Sequence, residues 1–360
     1  SIGAGGGSIA WINEAGALNV GPQSAGSDPG PACYGKGGTE PTVTDANLVL
    51  GRLDPNNFLG GEIAINPELA RKAINEKIAQ PLNLTLEEAA SGIISVVNTK
   101  MAYAIRATTI QRGLDPKEFV LLAFGGAGPM HACALAKELG IPKVLIPMAP
   151  GAFSALGMLL TDIRQDYVRT VVTLLDSSRA DQLEAIFQEM AQEAVRTLRE
   201  QLDNCEVRIL RSADMRYVGQ EYTVSVPVPA ERITQEALPR LRESFNRLHE
   251  QIYGHHSDTE PVEIINLRLT AFGEVPKVKF AQIPKGTATP PREAFKGTLK
   301  ARFDGVVDCP VYQREALLAG NIIEGPAVIQ EKGATTVLLP GCTLVVSDYG
   351  YFMIEVKSDG

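Results

Sequence analysis

The sequence predicts an α/β protein with three successive parts: an α/β domain over residues 1–165, an α+β region over 166–275 and a small β-rich domain over 276–360. Three observations carry this division. Residues 119–147 read as strand, glycine loop, helix and strand. After Gln165 the order changes to long amphipathic helices interspersed with strands. From Gly297 onward, short apolar stretches alternate with Gly/Pro turns.

The bulk properties narrow the function classes. A chain of 360 residues is too long for one compact core. Hydrophobic residues make up 44% and charged residues 21%, the balance of a folded globular protein. The net charge of −8, with no long Lys/Arg run, argues against nucleic acid or an anionic membrane as the main partner. No apolar stretch approaches the ~20 residues of a membrane-spanning helix. Cys33, Cys133, Cys205, Cys309 and Cys342 form no CxxC and no even framework, so they read as free thiols in a reducing, cytoplasmic compartment. Four His exclude a His-rich metal cage within this chain. The chain opens at Ser1 in a glycine cluster, with neither Met nor a leader. The expectation is that preceding sequence is missing, cleaved or carried on another polypeptide.

Taken in order, residues 1–61 are rich in Gly and Pro and read as loops and short strands. So long a structured loop region points to function. Asn66-Pro67 is an N-cap and first-turn pair that opens a helix to about Ala79. Thr85 with Glu88 forms a capping box. Behind it Ile94, Val97, Met101, Ile105 and Thr108 recur at helical spacing, and Gly113 closes the helix. This helix is mostly apolar and is expected to be well buried. Phe119–Phe124 is a short apolar strand, Gly125-Gly-Ala-Gly-Pro129 a glycine loop, and Met130–Leu139 a helix. Lys143–Pro147 is a second strand, which makes a βαβ unit with parallel strands. Beyond it come a helix carrying Leu183 to Leu198, strands at Val207–Tyr217 and Tyr222–Val228, and a helix carrying Leu238 to Ile252. Ile265, Leu267, Leu269 and Ala271 alternate as the buried face of a further strand. Residues 274–296 hold four prolines and read as a surface crossing.

Several motifs carry possible chemistry. Gly125-Gly-Ala-Gly128 allows close backbone approach, and the helix behind it offers free N–H groups to an anionic ligand. The same pattern also suits a plain βα turn. It is neither G-x-G-x-x-G nor a Walker A loop. His131 lies in the first turn of that helix, as a packing residue or a catalytic one. Gly5, Gly6 and Gly7 form a second loop whose successive N–H groups can make an anion nest. Asp28, Glu40 and Asp45 lie among Ser24, Thr42 and Thr44, where carboxylates can act as bases or hold Mg²⁺. Asp28-Pro-Gly is ordinary turn chemistry, and Asp45 equally suits the cap of a helix running to Leu53. Cys33 is the one thiol in this loop region. Lys36 offers it charge, but no His is near in sequence, so it reads as a buried inert thiol. Ser1 as an N-terminal nucleophile is a further possibility. His255-His256 read as charge at a helix end.

Together these segments resemble the hydantoinase A and 5-oxoprolinase family, which includes a subunit of acetone carboxylase. The resemblance rests on Ile2–Ala10, on Gly21–Gly26 with Asp28–Gly35, on Pro41–Asn47, and on Phe124–Pro129 with His131-Ala132. It continues through Pro150–Gly157, Met215–Gln220 and Gly325–Ile329, in the family's order across the chain.

The resemblance implies the second lobe of an actin-like ATPase fold of the sugar kinase and Hsp70 type, followed by an accessory region. It implies ATP and Mg²⁺ as cofactors. Gly125, Gly126, Ala127 and Gly128 are expected along the adenosine side, and Gly5, Gly6 and Gly7 near the cleft. Asp45 and His131 stand as the catalytic candidates, and no residue stands as a metal ligand. The implied reaction is ATP-dependent opening of a cyclic amide, such as a hydantoin, 5-oxoproline or another lactam, through carbonyl phosphorylation. A ketone carboxylase subunit and a non-catalytic docking scaffold are the alternatives. The family's first-lobe phosphate loops do not occur here. The expected partners are therefore a missing N-terminal lobe and a hydantoinase B-type subunit, in an oligomer, with a small cyclic amide as substrate.

Overall fold

The structure, a computed structural model, describes residues 2–203, 205–229 and 232–357. Ser1, considered above as a nucleophile, lies outside them. In chain order the elements are β1 (Ser8–Ile12), β2 (Leu18–Ser24), α1 (Val43–Val49), α2 (Pro67–Ile74), α3 (Gln80–Leu82), α4 (Leu86–Thr108), β3 (Val120–Leu122), α5 (Gly128–Leu139), β4 (Lys143–Ile146) and α6 (Phe153–Leu160). Then come β5 (Ile163–Leu174), α7 (Ala180–Gln201), β6 (Val207–Tyr217), β7 (Val224–Val228), α8 (Ala237–Tyr253) and β8 (Val262–Gly273). The last are β9 (Phe295–Arg302), β10 (Val306–Gln313), β11 (Ile322–Glu324), β12 (Ala327–Glu331), β13 (Ala334–Leu338), β14 (Cys342–Val346) and β15 (Phe352–Val356).

These elements form two compact units. One comprises 2–156 with 279–357, the other 157–278. In the first, β3 and β4 pair in parallel as the βαβ pattern requires, and β4 continues antiparallel into β15. The sheet order is β11-β14-β15-β4-β3, and a second sheet runs β13-β12-β10-β9. Residues 276–360 are therefore not a domain of their own, because β15 completes the sheet that β3 and β4 begin. Short apolar strands separated by turns look alike whether they close on themselves or extend a distant sheet, since the pairing is non-local. α5 buries Ala132, Leu135, Ala136 and Leu139 with Val144, Ile146, Leu344, Phe352 and Ile354 in one core.

The helical readings hold, with local adjustments. α2 begins at Pro67 behind the Asn66 cap and continues through a π turn at 75–79 into α3. The Thr85–Glu88 capping box opens α4. α4 buries Ala89, Ala90, Ile93, Ile94, Val97 and Ala102, but Tyr103 on its outer face is exposed. Gly113 caps the short 3₁₀ turn behind it. α1 stops at Val49 rather than reaching Leu53, because Gly51 takes a left-handed φ of +70° that a helix cannot continue.

The second unit is an antiparallel sheet, β5-β8-β6-β7, whose core is shared with α7 and α8. β5 is a twelve-residue strand that the charged sequence Ile163-Arg-Gln-Asp-Tyr-Val-Arg had hidden. On β8 the buried face is Val262, Ile264, Leu267, Leu269 and Ala271. Ile265 is not part of it: the β6–β8 register jumps from Met215↔Ile264 to Asp214↔Asn266, and this irregularity shifts the alternation by one residue.

Candidate active site

The first unit holds a cavity of about 290 Å³. Its walls come from stretches far apart in sequence. The loop before β1 supplies Gly6 and Gly7, and α1 supplies Thr44. The turn after β3 supplies Gly126 and Ala127, and the β12–β13 hairpin supplies Gln330, Glu331, Gly333 and Thr335. Tyr34, Leu53, Asp54, Asn57, Phe58 and Met130 also line it.

The glycines are where they are because the approach is close. Thr44 Oγ1 donates to the Gly6 carbonyl at 2.9 Å, and the Thr44 N–H donates to the same oxygen at 2.9 Å. A β-carbon on Gly6 would lie 2.8 Å from Thr44 Oγ1 and 3.9 Å from Ala127 Cβ. One on Gly7 would lie 2.9 Å from Ser24 Oγ, and one on Gly126 would lie 3.2 Å from the Gly333 carbonyl oxygen. Gly125 turns the chain out of β3 with a φ of +83°, and its N–H donates to Pro150 O at 2.7 Å. α5 then starts at Gly128 with no side-chain cap. Its amino-terminal dipole is thus left to act on whatever occupies the cavity.

Of the expected cofactor residues, Gly6, Gly7, Gly126 and Ala127 line the cavity. Gly5, Gly125 and Gly128 stand behind it, shaping the two turns. Gly5 does so by donating its N–H to Ser8 Oγ at 2.9 Å.

The catalytic candidates take other places. Asp45 is fully buried and is the third residue of α1. Its carboxylate accepts from Ala32 N at 3.2 Å, Cys33 N at 2.8 Å, Thr42 N at 2.9 Å and Thr42 Oγ1 at 2.7 Å. These bonds occupy the carboxylate, which is absent from the cavity wall. Asp45 is the partner of the Thr42 cap in a capping box, and its carboxylate anchors the 32–42 loop. His131 is 4% exposed and also absent from the wall. Its Nδ1 lies 2.8 Å from Asn98 Oδ1. Burial, with the Arg52 charge added, lowers its pKa to about 4, so the ring is neutral at pH 7. Cys33 is fully buried, and burial together with Asp45 pushes its thiol well above the ordinary range. Asp28 lies in an exposed turn, and Glu40 pairs with Lys77. His256 sits 3.3 Å from Glu250 just beyond α8.

Sequence reasoning passed over the polar wall that the structure assembles. Asn57 Nδ2 donates to Gln330 Oε1 at 2.6 Å, and Gln330 Nε2 lies 3.5 Å from Asp54 Oδ2. Beside it Glu331 accepts from Arg314 Nη1 at 2.7 Å, both side chains being buried. Burial raises the Glu331 carboxyl pKa, and Arg314 opposes that rise. The one available signal was position. Gln330 and Glu331 directly follow the Gly325–Ile329 stretch, but Asp54-Pro-Asn-Asn57 reads only as a turn.

The donor set tests which groups fit. Glycine backbone at one side, an uncapped helix terminus, and apolar or aromatic Tyr34, Leu53, Phe58 and Met130 suit a nucleotide with a charged tail and a flat base. A divalent cation does not find a coordination set here. Among the described residues no three His, Cys, Asp or Glu side chains converge, and Glu331 is held by Arg314. Among the described residues no helix is long and apolar enough to cross a membrane.

Comparison with known proteins agrees with the motifs. Residues 1–167 match the family model described as hydantoinase/oxoprolinase, and residues 175–356 match that of the hydantoinase/oxoprolinase C-terminal domain. The caprolactamase subunit alpha of Pseudomonas jessenii is 41% identical over 347 residues, covering 94% of this chain and 50% of that protein. 5-Oxoprolinase 1 of Arabidopsis thaliana is 32% identical over 375 residues, covering 99% of this chain and 29% of that protein. A nucleotide-free structure of acetone carboxylase, solved in work on ATP-dependent acetone carboxylation, superposes with a TM-score of 0.87 at 28% identity. That match covers 98% of this chain and 52% of the other. The chain spans at most about half the length of these relatives. The chain belongs to the hydantoinase/oxoprolinase family.

Proposed function

We propose that this chain is the second half of an ATP-dependent cyclic-amide hydrolase subunit, and that the cavity between its glycine loops holds the nucleotide. One observation carries the reading: Gly6 and Ala127, some 120 positions apart in sequence, meet in one cavity wall beside an uncapped helix terminus. Caprolactamase and 5-oxoprolinase, by their names, act on cyclic amides, and this supports a lactam or related ring as substrate. ATP, when bound, would supply a phosphoryl group to the amide oxygen, which makes the carbonyl carbon electrophilic enough for water to add, so that the ring C–N bond breaks with the nitrogen taking up a proton and phosphate is released as the carboxylate forms.

The chain's own residues bind and position. Gly6 and Gly7 let the backbone approach the charged tail without a β-carbon in the way. Gly126, Ala127 and the α5 terminus, which the resemblance puts along the adenosine side, share the wall with Gly6 and are read here beside the charged tail, where the terminus stabilises negative charge. Tyr34, Leu53, Phe58 and Met130 keep the base side apolar and exclude water. Asp45 and His131 hold the loop and the helix that shape the cavity, and move no proton.

The lobe is read as actin-like, with a Mg²⁺ whose ligands lie outside this chain. The working complex is read as cytoplasmic and oligomeric, completed by an N-terminal lobe and a hydantoinase B-type subunit. The relatives named as alpha, beta and gamma subunits support a multi-subunit assembly.

A second reading, an ATP-dependent ketone carboxylase subunit, draws on the TM-score of 0.87 with acetone carboxylase. One assay separates the two. The complete subunit with its partner is given ATP, Mg²⁺ and a panel of lactams, hydantoins and 5-oxoproline, with and without labelled bicarbonate. Ring opening coupled to ATP hydrolysis is expected. Bicarbonate-dependent label incorporation from a ketone would replace this proposal with the carboxylase. Failure of both reactions, with no nucleotide bound, would leave a docking scaffold.

A further inference from the structure

The polar wall of the cavity has a fixed direction. Asp54 is a carboxylate and only accepts hydrogen bonds. Its Oδ1 already takes the Asn56 N–H at 2.9 Å, and its Oδ2 faces Gln330 Nε2 at 3.5 Å. Gln330 is 4% exposed, so its amide must satisfy both ends within the protein. With Nε2 turned to Asp54, Oε1 must turn the other way, and there it accepts from Asn57 Nδ2 at 2.6 Å. That bond fixes the Asn57 amide in turn. Its Oδ1 and second Nδ2 proton remain uncommitted among the described residues, on a side chain that lines the cavity.

An amide fixed in this sense offers one acceptor and one donor side by side. That pair matches a base edge carrying an amino donor next to a ring-nitrogen acceptor, the arrangement of adenine N6 and N1. Guanine presents the reverse order on the same edge, O6 as acceptor and N1–H as donor, and leaves Asn57 Oδ1 facing an oxygen and Nδ2 facing an N–H. Accepting it would require Asn57 to turn over. Turning over would set Asn57 Oδ1 against Gln330 Oε1 unless Gln330 turned too, and Asp54 forbids that. The hairpin also spans the cavity suitably. Gly333, at its turn, stands over Gly126, while Gln330, three residues back, reaches Asn57. One strand segment thus connects the glycine-loop side to the polar wall, about 10 Å apart.

We propose that Asn57, locked in one orientation by Gln330 and Asp54, is the residue that selects an amino-purine over an oxo-purine nucleotide in this cavity. The proposal rests on the nucleotide reading above and adds the element that reads the base.

The test uses the complete subunit in its complex. Hydrolysis-resistant ATP and GTP analogues are titrated against a fluorescent adenine nucleotide, with melting temperature recorded for every variant. The wild type is expected to prefer the ATP analogue by at least about tenfold, the size of one matched bidentate contact. Asp54→Asn keeps the shape but removes the acceptor-only end, so both downstream amides can reverse. Its ATP-to-GTP ratio is expected to fall about tenfold, mainly through tighter GTP binding. Asn57→Ala is expected to lose the preference through weaker ATP binding. An unchanged ratio in Asp54→Asn, with ATP still bound, overturns the base-reading role and leaves the nucleotide site standing. A wild type that binds neither analogue overturns the site reading and this proposal together. If Asn57→Ala raises the KM for a lactam and leaves the nucleotide ratio alone, the wall reads the amide and the proposal is overturned.

Discussion

Arg314 places its Nη1 2.7 Å from Glu331 Oε1, with the two side chains only 7% and 6% exposed. The same guanidinium donates through Nη2 to Gly350 O at 2.8 Å and lies 3.9 Å from the centroid of the Phe352 ring. One cation thus joins the end of β12, at the cavity wall, to the start of β15. A lysine cannot reproduce this, because it lacks the planar fork that reaches carboxylate and carbonyl together.

From this geometry Arg314→Met should destabilise the protein by about 3–5 kcal/mol, since it leaves a buried carboxylate without its partner. The double variant Arg314→Met/Glu331→Gln should recover a large part of that loss, because no charge then remains buried. Urea unfolding of the wild type, Arg314→Met, Glu331→Gln and the double variant checks it. A double variant as unstable as Arg314→Met would show that the damage comes from lost packing on Phe352 rather than from the stranded charge.

The neighbouring glycines give a sharper contrast. A β-carbon at Gly6 meets Thr44 Oγ1 at 2.8 Å, whereas one at Gly5 meets nothing within 4 Å. Gly6→Ala should therefore push Thr44 away from the Gly6 carbonyl and weaken nucleotide binding about tenfold, at a stability cost of about 1–3 kcal/mol. Gly5→Ala should stay within about 0.5 kcal/mol of the wild type. Calorimetric titration and thermal melting of both variants decide it. Equal behaviour of the two would mean that the close approach at Gly6 is not what the loop requires.

Asp45 makes the strongest local claim. Replacing it by Ala strands the N–H groups of Ala32, Cys33 and Thr42, each of which it accepts at 3.2 Å or less. A loss of about 3–5 kcal/mol is expected, from the lost capping box and from the unsatisfied donors. Asp45→Asn retains one acceptor oxygen and should lose less. Proteolysis within 32–42 should accelerate in Asp45→Ala before global unfolding does. A catalytic Asp45 would behave differently, with turnover abolished in Asp45→Asn while the melting temperature held.

Much of this was legible in the sequence because it depends on local rules. The Thr85–Glu88 box, the Asn66-Pro67 start and the strand–loop–helix–strand around Gly125 are each decided within a few residues. What escaped was non-local. Nothing near Phe352 indicates that β15 lies beside β4, two hundred residues earlier in the chain. Nothing in Asp54-Pro-Asn-Asn57 indicates Gln330. Asp45 shows the limit in a different form. Its sequence surroundings fit a cap and a base equally, and only the four hydrogen bonds onto its carboxylate separate the two roles. The Ile265 register failed for a similar reason. An irregularity in the pairing with β6 reverses the alternation, and strict period-two reading cannot see it.

His131 links this packing to pH. Its ordinary pKa of 6.5 falls to about 4 in the fold, first through burial and then through the Arg52 charge. The unfolded chain therefore takes up a proton between pH 6.5 and 4 that the folded chain refuses. A depressed folded pKa gives stability that is complete above 6.5 and drains away as pH falls toward 4. The full loss is about 3 kcal/mol, and about 2 kcal/mol of it should have appeared by pH 5. Asn98 Oδ1, 2.8 Å from Nδ1, accepts the ring proton and so leaves Nε2 as the site that protonates. His131→Gln removes the titration and retains a hydrogen-bonding side chain. Other groups titrate in both proteins, so the informative quantity is the difference in unfolding free energy between wild type and variant. That difference should shrink by about 2 kcal/mol from pH 7.5 to pH 5. A difference that stays constant across this range would mean that His131 holds its proton in the fold as readily as in the open chain, and the packed, neutral role assigned to it would fail.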